Sequence, residues 1–452
     1  MALPAVLMGT LFPLALEWYL LAARGRSPSV GRVYGANTVG SLAGIVVATF
    51  LVLDRFGVER SGRAVGLALF ALGLLLLWRI TTRRRIFALA IIPAVAWAAL
   101  EPPWDFSKTH EVLGHAGRPV YAREDLNGGL TTVLRNEDTT RLFTNGLIQA
   151  GTDYLVADQV RIALLPVLHV REMDRAMVIG LGSGQTAGIV GLFPFKTLDL
   201  VDFSPGVVEA GQRYFQDINL GVYNNPKVKV HIADGRHYLL THPEKLSLLT
   251  IQVSRLWMAG EGDLYTRELY ELCAARLAER GVLQQWIPLF RLSFQNTLII
   301  LRTVREVFPH VALYLGEESG MIVASTSPLQ VDYAKLRAID SDPRLKAVLA
   351  RIKLPSLYSL LGDCVLIPEG VDALLAHEPE KRISTDLWPH LEYSAARHYL
   401  EGLTTVASRR FFLTAQEFRT VPIVGADEAA FDAIRRWVLE ERDRRVGTLL
   451  LF

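Results

Sequence analysis

Gly180, Gly182 and Gly184 follow an apolar run ending at Ile179 and open a helical pattern, and the next apolar run ends in Val201-Asp202. A strand, a glycine turn into a helix, then a second strand tipped with a carboxylate confine the chain to an α/β sheet with a ligand crevice at its strand ends. Glycine lets the backbone approach a ligand where a Cβ would collide. Asp202, at a strand tip, is placed to accept hydrogen bonds from both hydroxyls of a ribose. A tight turn with no ligand is the simpler alternative; Asp202 at this distance favours an adenosine-bearing ligand. A dinucleotide site asks for G-x-G-x-x-G/A, but Gln185 stands where helix packing would want the third glycine. The observed G-x-G-x-G suits an S-adenosylmethionine-type ligand better than NAD.

A chain of 452 residues has room for two or three domains. Its formal charge of +2, with no Lys/Arg block, speaks against a nucleic-acid partner. Cys273 and Cys364 stand alone, so neither a disulfide framework nor a thiolate site is implied, and the histidines lack ligand spacing. No metal is expected.

Hydrophobicity is concentrated at the start, in runs at 2–23, 33–53, 64–78 and 86–100 separated by short Arg-bearing loops. The first two match a bilayer's hydrocarbon core and the others are shorter, which predicts a multi-pass transmembrane helical region over 1–104 in contact with the lipid bilayer. A cleavable signal peptide fits poorly without a basic n-region, and apolar sequence from residue 2 suggests a natural start further upstream. Ala36, Gly40 and Gly44, beside Asn37 and Ser41, predict close helix packing in lipid. Glu17 is either a functional intramembrane acid or one that reaches the interface. Arg24, Arg26 and Arg32 in the first loop, with Arg79, Arg83, Arg84 and Arg85 in the third, place the remainder of the chain outside if all four runs span. If 86–100, which contains Pro93, only lies in the interface, the remainder is cytoplasmic. Nucleoside supply favours the cytoplasm.

Residues 105–152 read as a small β-domain, with turns at Asn127-Gly128-Gly129 and Asn145-Gly146. A helix over 153–169 is expected to end near Pro166. Over 153–330, strand runs at 176–180, 197–202, 228–232, 246–252 and 282–287 alternate with helical patterns at 185–193, 205–216, 263–280 and 292–307. This predicts a mostly parallel, doubly wound α/β sheet, and 311–325 a closing antiparallel hairpin. Asp234-Gly235 follows the third strand; Asp234 can accept from an adenine amino group with Gly235 leaving room for the ring, or it can cap the helix after it. Residues 331–452 read as a mostly helical extension, with a charged amphipathic helix over 426–446.

Several stretches resemble the spermidine synthase family of polyamine aminopropyltransferases, in its membrane-fused bacterial form. They are Asn145-Gly-Leu-Ile-Gln-Ala150, Gln159 through Pro166, Val178 to Gly184, Val201-Asp-Phe-Ser-Pro205, Asp234-Gly-Arg-His-Tyr-Leu239, Leu264 to Tyr270, Gly281 to Trp286 and Thr385 to Glu392. Gly9 to Pro13 and Tyr34 to Gly40 are similar to that form's hydrophobic half. The resemblance implies a methyltransferase-like, Rossmann-type fold beside a small β-domain, in a bacterial inner membrane. It implies aminopropyl transfer from decarboxylated S-adenosylmethionine, as co-substrate, to a diamine such as putrescine, releasing methylthioadenosine. No permanently bound cofactor is implied, and a homodimer is. By position, Asp202 would hold the ribose and Asp234 the adenine, while Gln149 and Gln159 would line the cleft.

One departure stands against these matches. The family's fourth strand ends in an acid that takes the proton from the attacking amine. An alkylammonium near pKa 10 must lose that proton before it attacks carbon. Here Gln252 or Val253 occupies the acid's place, and glutamine is no base. Arg255 would also repel a cationic diamine. Glu261 and Asp263 could substitute as base, or be loop acids with Asp263 capping the next helix. Trp257, Tyr265 and Tyr270 line a cleft or fill the core. Asp158 and Val160 differ from the residues that the family carries beside Gln159. The expectation is an aminopropyltransferase-like enzyme, with a catalytically silent nucleoside-binding relative as the alternative.

Overall fold

The computed structural model describes residues 12–13, 15–21, 30–80, 117–125, 129–252, 256, 260–289, 292–317, 319–401 and 420–450. They divide into two compact units, Met1–Asp105 and Phe106–Phe452.

In the first unit, helix α1 (Val30–Val47) passes through a π turn at Ala48–Val52 into α2 (Leu53–Ile80). Val30–Val52, with mean hydropathy 1.7, is the one helix among the described residues long and apolar enough to cross a membrane. The loop expected between the runs 33–53 and 64–78 is helical instead, taking in Asp54, Arg55, Glu59, Arg60 and Arg63. Long straight-chain residues are good helix formers whatever their charge. Only Gly57, at φ 75° and ψ 173°, interrupts the helix, in a conformation glycine takes without strain. Arg79 likewise falls within α2 rather than in a loop. Nothing lies within 4 Å of a Cβ built at Gly40 or Gly44, so no packed neighbour covers that face among the described residues. Glu17 is exposed. Residues 86–100, most of 2–23, and Arg24, Arg26 and Arg83 to Arg85 lie outside the described residues.

The second unit is built on a sheet of eight strands among the described residues. These include β5 (Arg175–Ile179), β6 (Thr197–Asp202), β7 (Val228–Ile232), β8 (Leu246–Ile251), β9 (Leu277–Pro288), β10 (His310–Leu315) and β11 (Ser319–Ser325). From β7 through β6, β5 and β8 to β9 the strands are parallel; β11 then pairs antiparallel with β9, and β10 with β11. The doubly wound sheet is therefore mixed, and the returning strand of the hairpin lies inside it. Connecting helices are α3 (Val156–His169), α4 (Gln185–Val190), α5 (Pro205–Tyr214), α6 (Gly235–Thr241), α7 (Arg267–Arg276) and α8 (Phe294–Val307). One core forms under α3 and α4, the other under α7 and α8.

Helix α3 runs through Pro166 to His169, the end of the expected range. A proline inside a helix removes one hydrogen bond, but Leu164, Leu165, Val167 and Leu168 around it are all buried, and their packing holds the turn. Helix α7 starts at Arg267, not at 263: Glu261–Tyr265 is a 3-10 turn. The cap is Thr266, which accepts from the Leu269 N–H, and Asp263 does not cap.

Before the main sheet comes the small antiparallel one, β1 (Arg118–Asp125), β2 (Gly129–Arg135), β3 (Thr140–Thr144) and β4 (Leu147–Gly151). Asn145 and Gly146, at φ 51° and 77°, make the tight β3–β4 turn that the Asn-Gly pair predicts. Val133, Leu142 and Ala150 pack this sheet onto Val207 and Ala210 of α5. After the main sheet come β12 (Val331–Asp332), α9 (Tyr333–Ser341), α10 (Pro343–Arg351), β13 (Cys364–Leu366), α11 (Pro368–His377), α12 (His390–Glu401), β14 (Ile423–Val424) and α13 (Glu428–Leu450). This segment is mostly helical, as expected, but β13 extends the main sheet beside β10. The Arg161 guanidinium of α3 is buried against Asp363 at 2.9 Å, which ties the segment to the core.

Candidate functional site

The glycine turn leaves β5 at its carboxyl end. Gly180, Gly182 and Gly184 all have left-handed φ, at 81°, 53° and 80°. A Cβ at Gly180 would lie 3.0 Å from the Gln252 carbonyl oxygen, and one at Gly184 would lie 3.0 Å from the Tyr223 hydroxyl. At Gly182 a Cβ would meet the Ala150 Cβ in ordinary contact at 3.6 Å, with no closer atom. Strand β4 brings Ala150 there, and with it the neighbouring, partly exposed Gln149.

Asp202, at the tip of β6, holds this turn in place. The Leu181 N–H donates to its Oδ2 at 2.8 Å and the Ser204 N–H to its Oδ1 at 2.9 Å. A carboxylate has about four acceptor directions, so both oxygens keep capacity for a ligand's hydroxyls. Burial pushes the Asp202 carboxyl up to about 6, against the two backbone N–H groups, and the nearby Asp125 charge adds to the rise. Asp125, which sequence reasoning missed, ends β1 and accepts from the Ser204 hydroxyl at 3.1 Å and the Gly206 N–H at 3.2 Å. Its one signal was an acid just before the Asn127-Gly128 turn.

Asp234 follows β7, which pairs with β6 at Asp202 and Ile232, so the two acids stand at neighbouring strand ends. Asp234 is exposed and caps α6, its Oδ1 accepting from the His237 N–H at 2.7 Å. The space made by the missing side chain of Gly235 faces Ile179, so this glycine serves helix-to-strand packing rather than room for a ring. Phe203, directly after Asp202, is 46% exposed and offers an aromatic face beside it.

A second group of side chains meets across the turn. The Thr186 hydroxyl on α4 lies 2.7 Å from Gln159 Oε1 on α3 and 3.0 Å from Gln252 Oε1 just beyond β8. Gln159 and Gln252, far apart in sequence, are thus linked through Thr186, which the motifs did not single out. Of the two possible substitute acids, both in the Glu261–Tyr265 3-10 turn, Asp263 accepts through its carbonyl oxygen from the Arg236 guanidinium at 3.4 Å, two residues after Asp234. Tyr265, in the same 3-10 turn, is buried in the other core with Ile251 and Ile287, and its hydroxyl donates to the Trp286 carbonyl at 2.9 Å. Burial, and after it the Glu261 charge, raises the Tyr265 pKa. The charge of Asp263 acts on Arg236. Tyr270 is also core. Asp158 accepts from the Glu317 N–H at 2.7 Å and the Ser319 hydroxyl at 2.6 Å, pinning the β10–β11 turn to α3, and Val160 is fully buried. Val253, Arg255 and Trp257 lie outside the described residues. No cluster of three metal-ligating side chains occurs among the described residues.

Residues 156–316 match the family model described as "Spermine/spermidine synthase domain". The chain is 27% identical over 175 residues to the polyamine aminopropyltransferase of Sulfurisphaera tokodaii, covering 38% of this chain and 57% of that one. It is 26% identical over 326 residues to that of Oceanobacillus iheyensis, covering 68% of this chain and 62% of the relative. It thus spans about six-tenths of the length of these curated relatives. Among solved structures, the spermidine synthase of Thermotoga maritima is similar at 19% identity and a TM-score of 0.45, over 53% of this chain and 85% of that one.

Proposed function

We propose that this chain, which carries a spermine/spermidine synthase domain and has polyamine aminopropyltransferases among its homologues, binds decarboxylated S-adenosylmethionine at the glycine turn and transfers its aminopropyl group to an amine. The observation that carries this reading is Asp202, buried at the tip of β6 and fixed by two backbone N–H groups, one of them from the glycine turn. Asp202 would take the ribose hydroxyls, Asp234 the adenine amino group, and Phe203 one face of the purine. Gln149 and Gln159 would line the far end. In transfer, the acceptor nitrogen bonds to the propyl carbon as the carbon–sulfur bond breaks. Sulfur keeps the electron pair and leaves as methylthioadenosine.

With Gln252, which accepts from the Thr186 hydroxyl, or Val253 at the place of the family's acid, the amine loses its proton to water before attack. The missing acid favours a second reading, in which the nucleoside binds and no transfer follows. Putrescine is the family's diamine acceptor and the first to assay. Incubation of the purified chain with decarboxylated donor and amine, scored for methylthioadenosine release, separates the two readings. Release supports transfer; tight methylthioadenosine binding without release supports the silent relative. Val30–Val52 would anchor the chain in a membrane, further spans would make it multi-pass, and the domain would lie in the cytoplasm with its nucleoside supply. Protease digestion of sealed vesicles from the outer face alone would overturn that placement.

A further inference from the structure

At and behind Gln252, whose Oε1 accepts from Thr186, the sheet holds buried polar atoms with no hydrogen-bond partner among the described residues. Thr250 on β8 and Gln252, just beyond it with its N–H still donating to the Ile179 carbonyl, are two residues apart and share a face. Thr250 pairs with Gln284 of β9, which puts Gln284 on that face too. It is the face covered by α3 and α4, since Val178, Val282 and Trp286 on it pack with Ala163, Leu164 and Ala187. Thr250 and Gln284 are fully buried, and Thr250 Oγ1, Gln252 Nε2 and both amide atoms of Gln284 have no hydrogen-bond partner among the described residues. A single stranded buried polar atom costs about 1–3 kcal/mol. Four in one row call for a partner, water or ligand.

The groups here are amides and a hydroxyl, all neutral, with donors and acceptors both on offer. Such a lining desolvates an ammonium without compensating its charge, whereas an amide or hydroxyl finds both of its partners. We propose that Gln252, Thr250 and Gln284 form the acceptor's tail subsite, and that the acceptor is a mono-amine ending in an uncharged amide or hydroxyl, not a diamine with a second ammonium. This rests on the nucleoside reading of the neighbouring cleft, because the attacking nitrogen must face the donor held there.

The test is calorimetry on the full chain saturated with methylthioadenosine, titrated with N-acetylputrescine and with putrescine. N-acetylputrescine should bind at least about tenfold tighter. Gln284→Leu should erase the difference while methylthioadenosine binds as before, which also reports that the variant is folded. Gln252→Asp should reverse the preference toward putrescine. Putrescine binding as tightly as the amide in the unaltered chain, or a preference that survives Gln284→Leu, overturns the proposal. Binding of neither probe means the row holds water only and overturns it as well. Failure of methylthioadenosine to bind the unaltered chain is read in a separate titration and removes the nucleoside site together with this inference.

Discussion

Replacing Asp202 by Asn tests the site through two readouts that move differently. Asn keeps one acceptor oxygen where Asp has two, so either the Leu181 or the Ser204 N–H is stranded, at about 1–3 kcal/mol. The same change removes a buried charge. Asp202 titrates near 6 in the folded chain, against about 3.9 unfolded, and two units correspond to about 3 kcal/mol. Between those values the folded chain holds a proton that the unfolded chain has lost. The stability from this group is therefore complete below about pH 4 and lost as pH rises through about 6. At pH 7 the stranded donor and the relieved charge nearly cancel, so urea unfolding should place Asp202→Asn within about 2 kcal/mol of the unaltered chain.

Ligand affinity has no such offset. The ionised carboxylate's hydrogen bonds to the ribose hydroxyls are worth about 1.5–3 kcal/mol each, so methylthioadenosine should bind about 10- to 100-fold more weakly. With a carboxyl titrating near 6, only about a tenth is ionised at pH 5. The unaltered chain should then lose about tenfold in affinity from pH 7 to pH 5, and Asp202→Asn should show a flat profile. Calorimetry at pH 5, 6, 7 and 8 measures this. Equal affinity in the two proteins at pH 7, or a flat profile in the unaltered chain, would refute the assignment.

Gly182→Val should lose methylthioadenosine binding while unfolding only about 1–2 kcal/mol more easily, because the left-handed φ of 53° is strained for valine but its Cβ meets the Ala150 Cβ only in ordinary contact at 3.6 Å. Gly235→Ala should do the reverse at about 1–3 kcal/mol of stability, since its Cβ meets Ile179 rather than the cleft; equal losses of binding in both would contradict this division. Arg161→Met leaves Asp363 buried without its guanidinium and should destabilise the second unit by about 3–5 kcal/mol in chemical unfolding. If the acceptor amine sheds its proton to water, methylthioadenosine release should rise about tenfold per pH unit from 7 to 9. Gln252→Asp should flatten that slope, and a flat slope in the unaltered chain would show that a protein base is at work.

Much of the candidate site was legible because its parts are local. The glycine turn, Asp202 and the Asp234 cap each depend on a few consecutive residues, and the alternation of apolar runs placed them at strand ends. What was not legible was how those parts are used. Gly235 looked like room for a ligand and is room for Ile179, because the direction of a missing Cβ depends on where the helix docks. Asp125 went unnoticed, since an acid before a turn is common and only the fold of β1 against α5 sets it beside Asp202.

The sequence by itself determined the repeating order of strand and helix, the sharp turns at Asn145-Gly146 and Gly180 to Gly184, and the chemistry at each strand tip. Periodicity and backbone freedom are properties of short stretches, so they are readable without knowing the partners. The tertiary structure decided which strands are neighbours: β11 slots between β9 and β10, and β13 arrives from about forty residues beyond β11 to edge the sheet. It also decided that Gln159, Thr186 and Gln252 meet, and that Arg161 pairs with Asp363. Those pairings join distant residues, and what selects them is the joint burial of apolar faces and the satisfaction of buried polar groups, which no single segment records.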